Sequence, residues 1–443
     1  MMATRSQQFA GVAIPAILFC TFSNLVAQED DFPRRDAVEV TIREGLPNIV
    51  SKLETDSDQE LRIGYLGGSI TAAQSGWRSK SLDWLRKRFP DRKIEEVNAA
   101  IGGTGSDLGV FRLGQDVLQH KPDLLFVEFA VNDGGAAPER IQRAMEGIVR
   151  QTWEADPTTD IVFVYTLSEP FLAELQDGKF SRSASAMEGV ADHYGIPTIH
   201  LGLVAASREK DGTLIFKGEA PKGEPDPDKP MVFSKDGVHP LASTGHQLYL
   251  EAIVRSWEKI ENATDKTISP HELSKPLRPD HWAAAKLVPI SEEMLSGDWE
   301  KLDNGEKGNL VAKKFAGKMP EMWRANSAGA ALSFRFRGSQ IALYDIVGPD
   351  GGVISLTVDD ESARDVRRID GYCTYHRLSK ISVATDLDPE TVHSLQMVLS
   401  DEELDKREIL FKKNREFFDN HPDNYEAEVW HVGSVMIIGD IVE

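Results

Sequence analysis

Between residues 61 and 260, apolar runs of strand length alternate with helical stretches, and this alternation limits the possible folds more than any other feature of the chain. The runs LRIGYLG (61–67), DLLFVEFAV (123–131), DIVFVYTL (160–167) and IPTIHL (196–201) are rich in β-branched and aromatic residues, and KIEEVNA (93–99) is a weaker strand of alternating character. Residues 77–89, 107–120, 139–154, 182–194 and 243–260 read as helices, with Pro138 well placed as a first helical residue. Strands that alternate with helices over this length predict a parallel sheet covered on both faces. In such folds ligand sites lie beyond the carboxyl ends of the strands, so chemistry is expected just after each strand.

The pattern breaks twice. Residues 217–230, KGEAPKGEPDPDKP, read as a surface loop at the rim of the site, and the stretch around 262–280, with Pro270, Pro276 and Pro279, reads as a linker. Beyond it, ALSFRFRGSQIALYDIV, GVISLTVDD, KISVATDL, HSLQMVLS and EVWHVGSVMIIGDIV are separated by turn residues and predict an antiparallel sandwich. The charged segment 402–416 is expected as a solvated excursion rather than a helical insertion. The expected layout is a signal segment over 1–27, an α/β domain over 28–262, a linker over 263–310 and a β-sandwich over 311–443.

Arg5, the uncharged stretch 9–22 and a processing site after about Ala27 predict export, to the periplasm or the medium; a retained anchor is the alternative. No integral membrane association is expected after cleavage. Of the two cysteines, Cys20 leaves with the signal and Cys373 stands alone, so no intrachain disulfide is expected. Lys+Arg 50 against Asp+Glu 71 gives 50 − 71 = −21, which argues against nucleic acid as a partner. Neither CxxC nor HExxH occurs, and no metal or cofactor is expected.

Four motifs fall at the ends of successive elements. Gly67-Gly68-Ser69 ends the first strand and exposes a serine among backbone amides. Residues 100–107, AIGGTGSD, form a glycine-rich loop that opens a helix and offers free N–H groups. The third strand runs toward Asn132, and alternation puts Glu128, Ala130 and Asn132 on one side if it continues that far. Glu128 in an apolar strand needs a partner, and pairing with Arg78 or Arg112 is expected. Asp236 and His239, three apart in Asp236-Gly237-Val238-His239-Pro240, can face one side, with Gly237 permitting the bend. Together these residues supply a nucleophile, oxyanion donors, a base and its orienting acid, the logic of acyl transfer.

On these four blocks the chain resembles an SGNH (GDSL-type) hydrolase over about residues 40–260. The resemblance implies a flavodoxin-like three-layer α/β fold. It makes Ser69, Asp236 and His239 the catalytic set, with the amides of Ser69 and Gly103 and the side chain of Asn132 as the oxyanion hole. Gly102 and Gly105 are alternatives to Gly103. Two departures stand out: Gly68 replaces the family's aspartate before the serine, and Ala130 replaces the glycine two before the asparagine. The C-terminal region is similar to jelly-roll modules that accompany SGNH carbohydrate esterases. An O-acylated, foremost O-acetylated, carbohydrate is therefore the expected partner. A lipid or small-ester esterase or thioesterase, and a non-catalytic carbohydrate-binding protein, are the alternatives. Trp77 and Arg78 are candidates for the substrate rim, with anchoring of the first helix as the other role for Trp77. Tyr372, Tyr375 and Trp430 are candidates for stacking on sugar rings, with core packing as the alternative.

Overall fold

The computed structural model describes residues 32–55, 58–219 and 229–442. The expected signal segment 1–27 and most of the loop 217–230 lie outside the described residues. In chain order the first half contains β1 (Val40–Thr41), α1 (Pro47–Glu54), β2 (Leu61–Gly67), α2 (Ser69–Ala72), α3 (Trp77–Arg88), β3 (Ile94–Asn98), α4 (Ser106–Asp116), β4 (Leu124–Glu128) and α5 (Pro138–Ala155). It continues with β5 (Asp160–Tyr165), α6 (Leu172–Gln176), α7 (Arg182–Tyr194), β6 (Thr198–His200), α8 (Leu203–Lys210), β7 (Leu214–Lys217), β8 (Met231–Ser234) and α9 (Gly245–Ala263).

Six of these strands form one sheet in the order β1-β6-β5-β4-β2-β3, parallel throughout except for the two-residue edge strand β1, which runs antiparallel to β6. The central strands β4 and β5 are buried along their whole length, which is why they read as unbroken apolar runs rather than alternating ones. On one face Tyr65 of β2 stacks on Phe126 of β4 at 5.2 Å, and Trp77 of α3 meets both rings edge-on at 5.7 and 5.9 Å. Leu248, Tyr249, Ile253 and Trp257 of α9 extend that core. On the other face α4, α5 and α7 pack together.

The second half adds β9 (Ala285–Pro289), β10 (Leu295–Ser296), β11 (Trp299–Lys301), α10 (Leu310–Phe315), β12 (Trp323–Ala325), β13 (Ala331–Val347), β14 (Val353–Val358), β15 (Arg364–Arg367), β16 (Arg377–Ala384), β17 (Val392–Leu399), α11 (Lys406–Ile409), α12 (Arg415–Asn420) and β18 (Trp430–Val442). These strands form a ten-stranded antiparallel sheet bent into a sandwich. The long strand β13 makes the bend. Over Ala331–Arg337 it pairs with β17, over Ile341–Val347 with β16, and over Arg335–Asp345 it runs beside β18 across the change of partner. The register slips between Gly338 and Gln340, where a Cβ on Gly338 would stand 2.3 Å from Ile438 O, so a glycine is required for the strands to cross this corner. Among the described residues no helix is long and apolar enough to cross a membrane.

Two expectations need correction. Residues 263–310 are not a bare linker: β9, β10 and β11 lie within them and belong to the antiparallel sheet. The prolines obscured this because the backbone before β9 is held by side chains of the first domain instead of by a ladder. Buried Glu146 of α5 accepts from Leu277 N–H (2.7 Å), Arg278 N–H (2.9 Å) and the Tyr194 hydroxyl (2.7 Å). The segment 402–416 is not a solvated excursion either. It folds into α11 and the start of α12, and Leu410 packs with Val347, Ile369, Cys373 and Tyr425 in a small core of its own. Charge dominates its composition, but Leu404, Ile409 and Leu410 suffice to bury one face.

Replacing Glu146 with alanine leaves two backbone N–H groups and a buried hydroxyl without their acceptor. Urea unfolding of Glu146→Ala should show a loss of about 2–4 kcal/mol.

Candidate active site

The turn after β2 presents Ser69 at the first position of α2, where backbone N–H groups have no intrahelical partner. Gly68 precedes it as the cap, and a Cβ there would stand 1.9 Å from Asn132 Oδ1. The missing side chain is what lets Asn132 lie against the serine turn, so glycine in place of the family's aspartate matches the present pose of that amide.

The turn is fixed from below by Glu128, the last residue of β4. Its carboxylate accepts from the hydroxyls of Thr71 and Thr166, each at 2.7 Å, and from the Gly68 backbone N–H. Burial raises its pKa, against the pull of those three donors. The expected pairing with Arg78 or Arg112 is not formed. Arg78 donates to Thr71 O at 2.9 Å and pairs with Glu96, while Arg112 pairs with Asp116 at 2.8 Å and with Ala99 O. The apolar strand signalled a buried acid correctly, but hydroxyls satisfy it instead of a cation.

His239 is brought to the serine from 170 residues away. Its Nε2 lies 2.8 Å from Ser69 Oγ, and its Nδ1 lies 2.7 Å from Asp236 Oδ2. With Nδ1 protonated toward the carboxylate, Nε2 is the acceptor for the serine proton. Asp236 Oδ1 also accepts the backbone N–H groups of Val238 (2.9 Å) and His239 (2.8 Å) and the Ser234 hydroxyl (3.1 Å). Partial burial opposes ionisation of Asp236, but the His239 ring and these N–H donors outweigh it and hold the carboxyl well below the usual carboxylate range. Gly237 adopts φ +84°, the left-handed conformation that closes this turn. Ser234 completes it by accepting from the N–H groups of Asp236 (3.3 Å) and Gly237 (3.0 Å); its place two residues before the aspartate was the available signal.

Gly102 and Gly103 lie exposed in the loop before α4, and a Cβ on Gly102 would sit 3.5 Å from Ser69 Cβ, so the loop borders the serine. Gly103 takes φ +75° with open space around it, so conformation rather than crowding calls for glycine. β4 stops at Glu128, and Asn132 comes from the turn that follows rather than from a continued strand. Among the described residues nothing hydrogen-bonds its side-chain amide. The next residue, Asp133, is buried and ties this turn to the loop, its Oδ1 accepting from Ser106 N–H at 3.0 Å. Burial, reinforced by Asp107 and Glu128 and opposed by Ser106, pushes Asp133 up to about 7. From the sandwich, Lys380 of β16 pairs with Asp107 in the first turn of α4, which Arg140 also contacts at 2.9 Å.

Three other candidates lie elsewhere. Trp77 is fully buried in the core under α3 and cannot line a substrate rim. Arg78 is also buried, and its guanidinium braces the serine turn through Thr71 O rather than facing solvent. Trp430 is core, donating to Asp345 at 3.1 Å, whereas Tyr372 and Tyr375 are exposed. Position just after the nucleophile was a poor guide for Trp77 and Arg78, because the first turn of α3 faces inward. A separate concavity, lined by Trp153, Tyr194 and His271, adjoins the opposite end of the sheet, where His271 bonds Asp160 at the start of β5.

Asp133 keeps its proton to higher pH in the folded chain than in the unfolded one, so stability falls as pH rises from about 4 to about 7. Asp133→Asn retains an acceptor for Ser106 N–H and cannot ionise. Relative to the parent it should gain about 1–4 kcal/mol between pH 4 and pH 8, measured by urea unfolding across that range.

Residues 65–248 match the model of the GDSL-like Lipase/Acylhydrolase family, a span that includes Ser69, Gly103, Asn132, Asp236 and His239. Two solved structures of a two-domain esterase (CEX) active on acetylated mannans, one of them co-crystallised with mannopentaose, are similar to the chain at 18% identity and TM-score 0.68. The similarity covers 91% of this chain and 98% and 100% of those chains, so it extends through both domains of the fold. Comparison with curated protein sequences found no match. Residues 65–248 therefore form a GDSL-like lipase/acylhydrolase domain, that of an SGNH-type carboxylic ester hydrolase, set in a two-domain fold.

Proposed function

We propose that the chain is an exported serine esterase that removes O-acyl groups, foremost O-acetyl groups, from carbohydrate through an acyl-enzyme on Ser69. The observation that carries this reading is the relay from Asp236 through His239 to Ser69 Oγ, at 2.7 and 2.8 Å. As Ser69 Oγ bonds to the ester carbonyl carbon, its proton passes to His239 Nε2 and the carbonyl electron pair moves onto oxygen. The N–H groups of Ser69 and Gly103 and the Asn132 amide are the donors for that oxyanion. Collapse breaks the bond to the sugar oxygen, which takes the proton from His239, and the acyl group stays on Ser69. A water then gives a proton to His239 and attacks the acyl carbon; the carboxylic acid leaves and Ser69 recovers its proton. Asp236, held ionised, steadies the imidazolium in both halves.

Three features support a carbohydrate substrate. The side chains of His239 and Asp236 are 52% and 54% exposed, so the relay is open to a group carried on a bulky polymer. Tyr372 and Tyr375 stand exposed on the second domain, as residues that stack on sugar rings would. A two-domain structure similar to this one over 91% of the chain belongs to an esterase active on acetylated mannans. Export through segment 1–27 would put the enzyme where such polymers are met.

The test is acetate release from acetylated mannan and acetylated xylan, alongside a series of chromogenic esters of rising chain length. Ser69→Ala should lower kcat at least ~10⁴-fold while remaining folded, and Asn132→Ala should lower it about 10²–10³-fold. Acetate release unchanged in Ser69→Ala contradicts the covalent route, and a preference for long acyl chains contradicts the carbohydrate assignment.

A further inference from the structure

Three side chains from separate segments of the sandwich meet at one point. Asp350 lies in the turn between β13 and β14, His376 just before β16, and His431 at the second position of β18. His376 Nε2 lies 2.8 Å from Asp350 Oδ1, and the two imidazoles stand edge to face with centroids 5.6 Å apart. One ligand-type atom from each of the three lies within 4.8 Å of the others. His431 is 2% exposed, and its Nε2 has no hydrogen-bond partner. A buried ring nitrogen left unpaired is costly, and ligation would remove that cost.

The surroundings hold the three in place. A Cβ on Gly348 would stand 2.3 Å from His376 Cδ2, so the ring packs directly on backbone there. Val429 N–H donates to Asp350 O at 2.9 Å and Gly352 N–H donates to Val429 O at 3.0 Å, which fastens the turn to the chain entering β18. Two cations stand nearby, and each is engaged elsewhere. Arg324, register partner of His431, pairs with Glu300 at 2.7 Å, and Lys406 pairs with Glu428 at 3.3 Å.

We propose that Asp350, His376 and His431 form a site for a divalent transition-metal ion, zinc by the chemistry of its donors, which pins the β13–β14 turn and the segment before β16 to β18. Two imidazoles and one carboxylate suit zinc, whereas calcium and magnesium favour all-oxygen sets. Donors on one tetrahedral zinc lie ~3.4 Å apart, so the three atoms need only small side-chain shifts to close on an ion. The side chains of Asp350 and His376 are 21% and 22% exposed, which gives the ion an entry and a water to fill the fourth position. Sequence spacing could not reveal this set, since its members are scattered over 82 residues of separate turns and strands, from 350 to 431.

The experiment uses the full chain, stripped with a chelator and titrated with zinc chloride against a chromogenic zinc indicator at about 10 µM protein, with Tm read in parallel. The parent should take up one zinc per chain with a rise in Tm. Asp350→Asn and His376→Gln, both at partly exposed positions, should each bind about 10–100-fold more weakly and lose the Tm rise, while hydrolysing a chromogenic acetate ester at the parental rate without zinc. No zinc uptake by the parent at that concentration overturns the proposal. Uptake that persists unweakened in both variants also overturns it, since the ion then sits elsewhere, for instance on Asp236 and His239.

Discussion

A buried carboxylate satisfied by hydroxyls underlies the geometry of the serine site. Glu128 ends the central strand β4 and draws in Thr71, Thr166 and the Gly68 N–H, so the serine turn, the end of β4 and the residue after β5 are bound to one carboxyl group. Such a group is expensive to bury, and burial accordingly raises its pKa. The arrangement stands only because every donor is delivered by a rigid element. Arg78 reinforces the same turn by bonding Thr71 O, so a side chain expected to meet substrate instead holds the machinery in place. The placing of the nucleophile and of the oxyanion donor then follows from the sheet, because the ends of β2 and β4 set where Ser69 and Asn132 stand.

The second domain bears on the same site through backbone and charge contacts. Lys380 reaches Asp107 in the first turn of α4, the helix that continues the glycine loop, and Lys318 Nζ donates to Asn98 O at 2.8 Å where β3 ends. Burial would raise Asp107, but Lys380 and Arg140 lower it, so the anion that links the domains stays charged. The sandwich therefore braces the loop bordering Ser69, and the segment pinned by Glu146 is the route by which the chain passes from one domain to the other.

Much of this was legible in the residues, and the failures have physical causes. Alternating apolar runs located the strands of the parallel sheet, because strands covered on both faces must be apolar throughout. The Gly-Gly-Ser turn, the glycine loop and the Asp-x-x-His turn carry short-range signatures, and the fold brings Ser69, Asp236 and His239 within hydrogen-bond reach. Contacts that depend on long-range packing were not legible. Glu128 was recognised as a buried acid but given a cation, Trp77 and Arg78 were placed outside when α3 turns them inward, and β9 was hidden among prolines. Each error concerns what lies opposite a residue in space, which local periodicity does not encode.

The central claim is that Ser69 is a nucleophile activated by His239. Its most direct test is covalent labelling with a fluorophosphonate, read by intact mass and peptide mapping. The account predicts one phosphonyl group per chain, on Ser69, with labelling slowed by orders of magnitude in His239→Ala. A folded parent that takes no label, or takes it on another residue, would contradict the account.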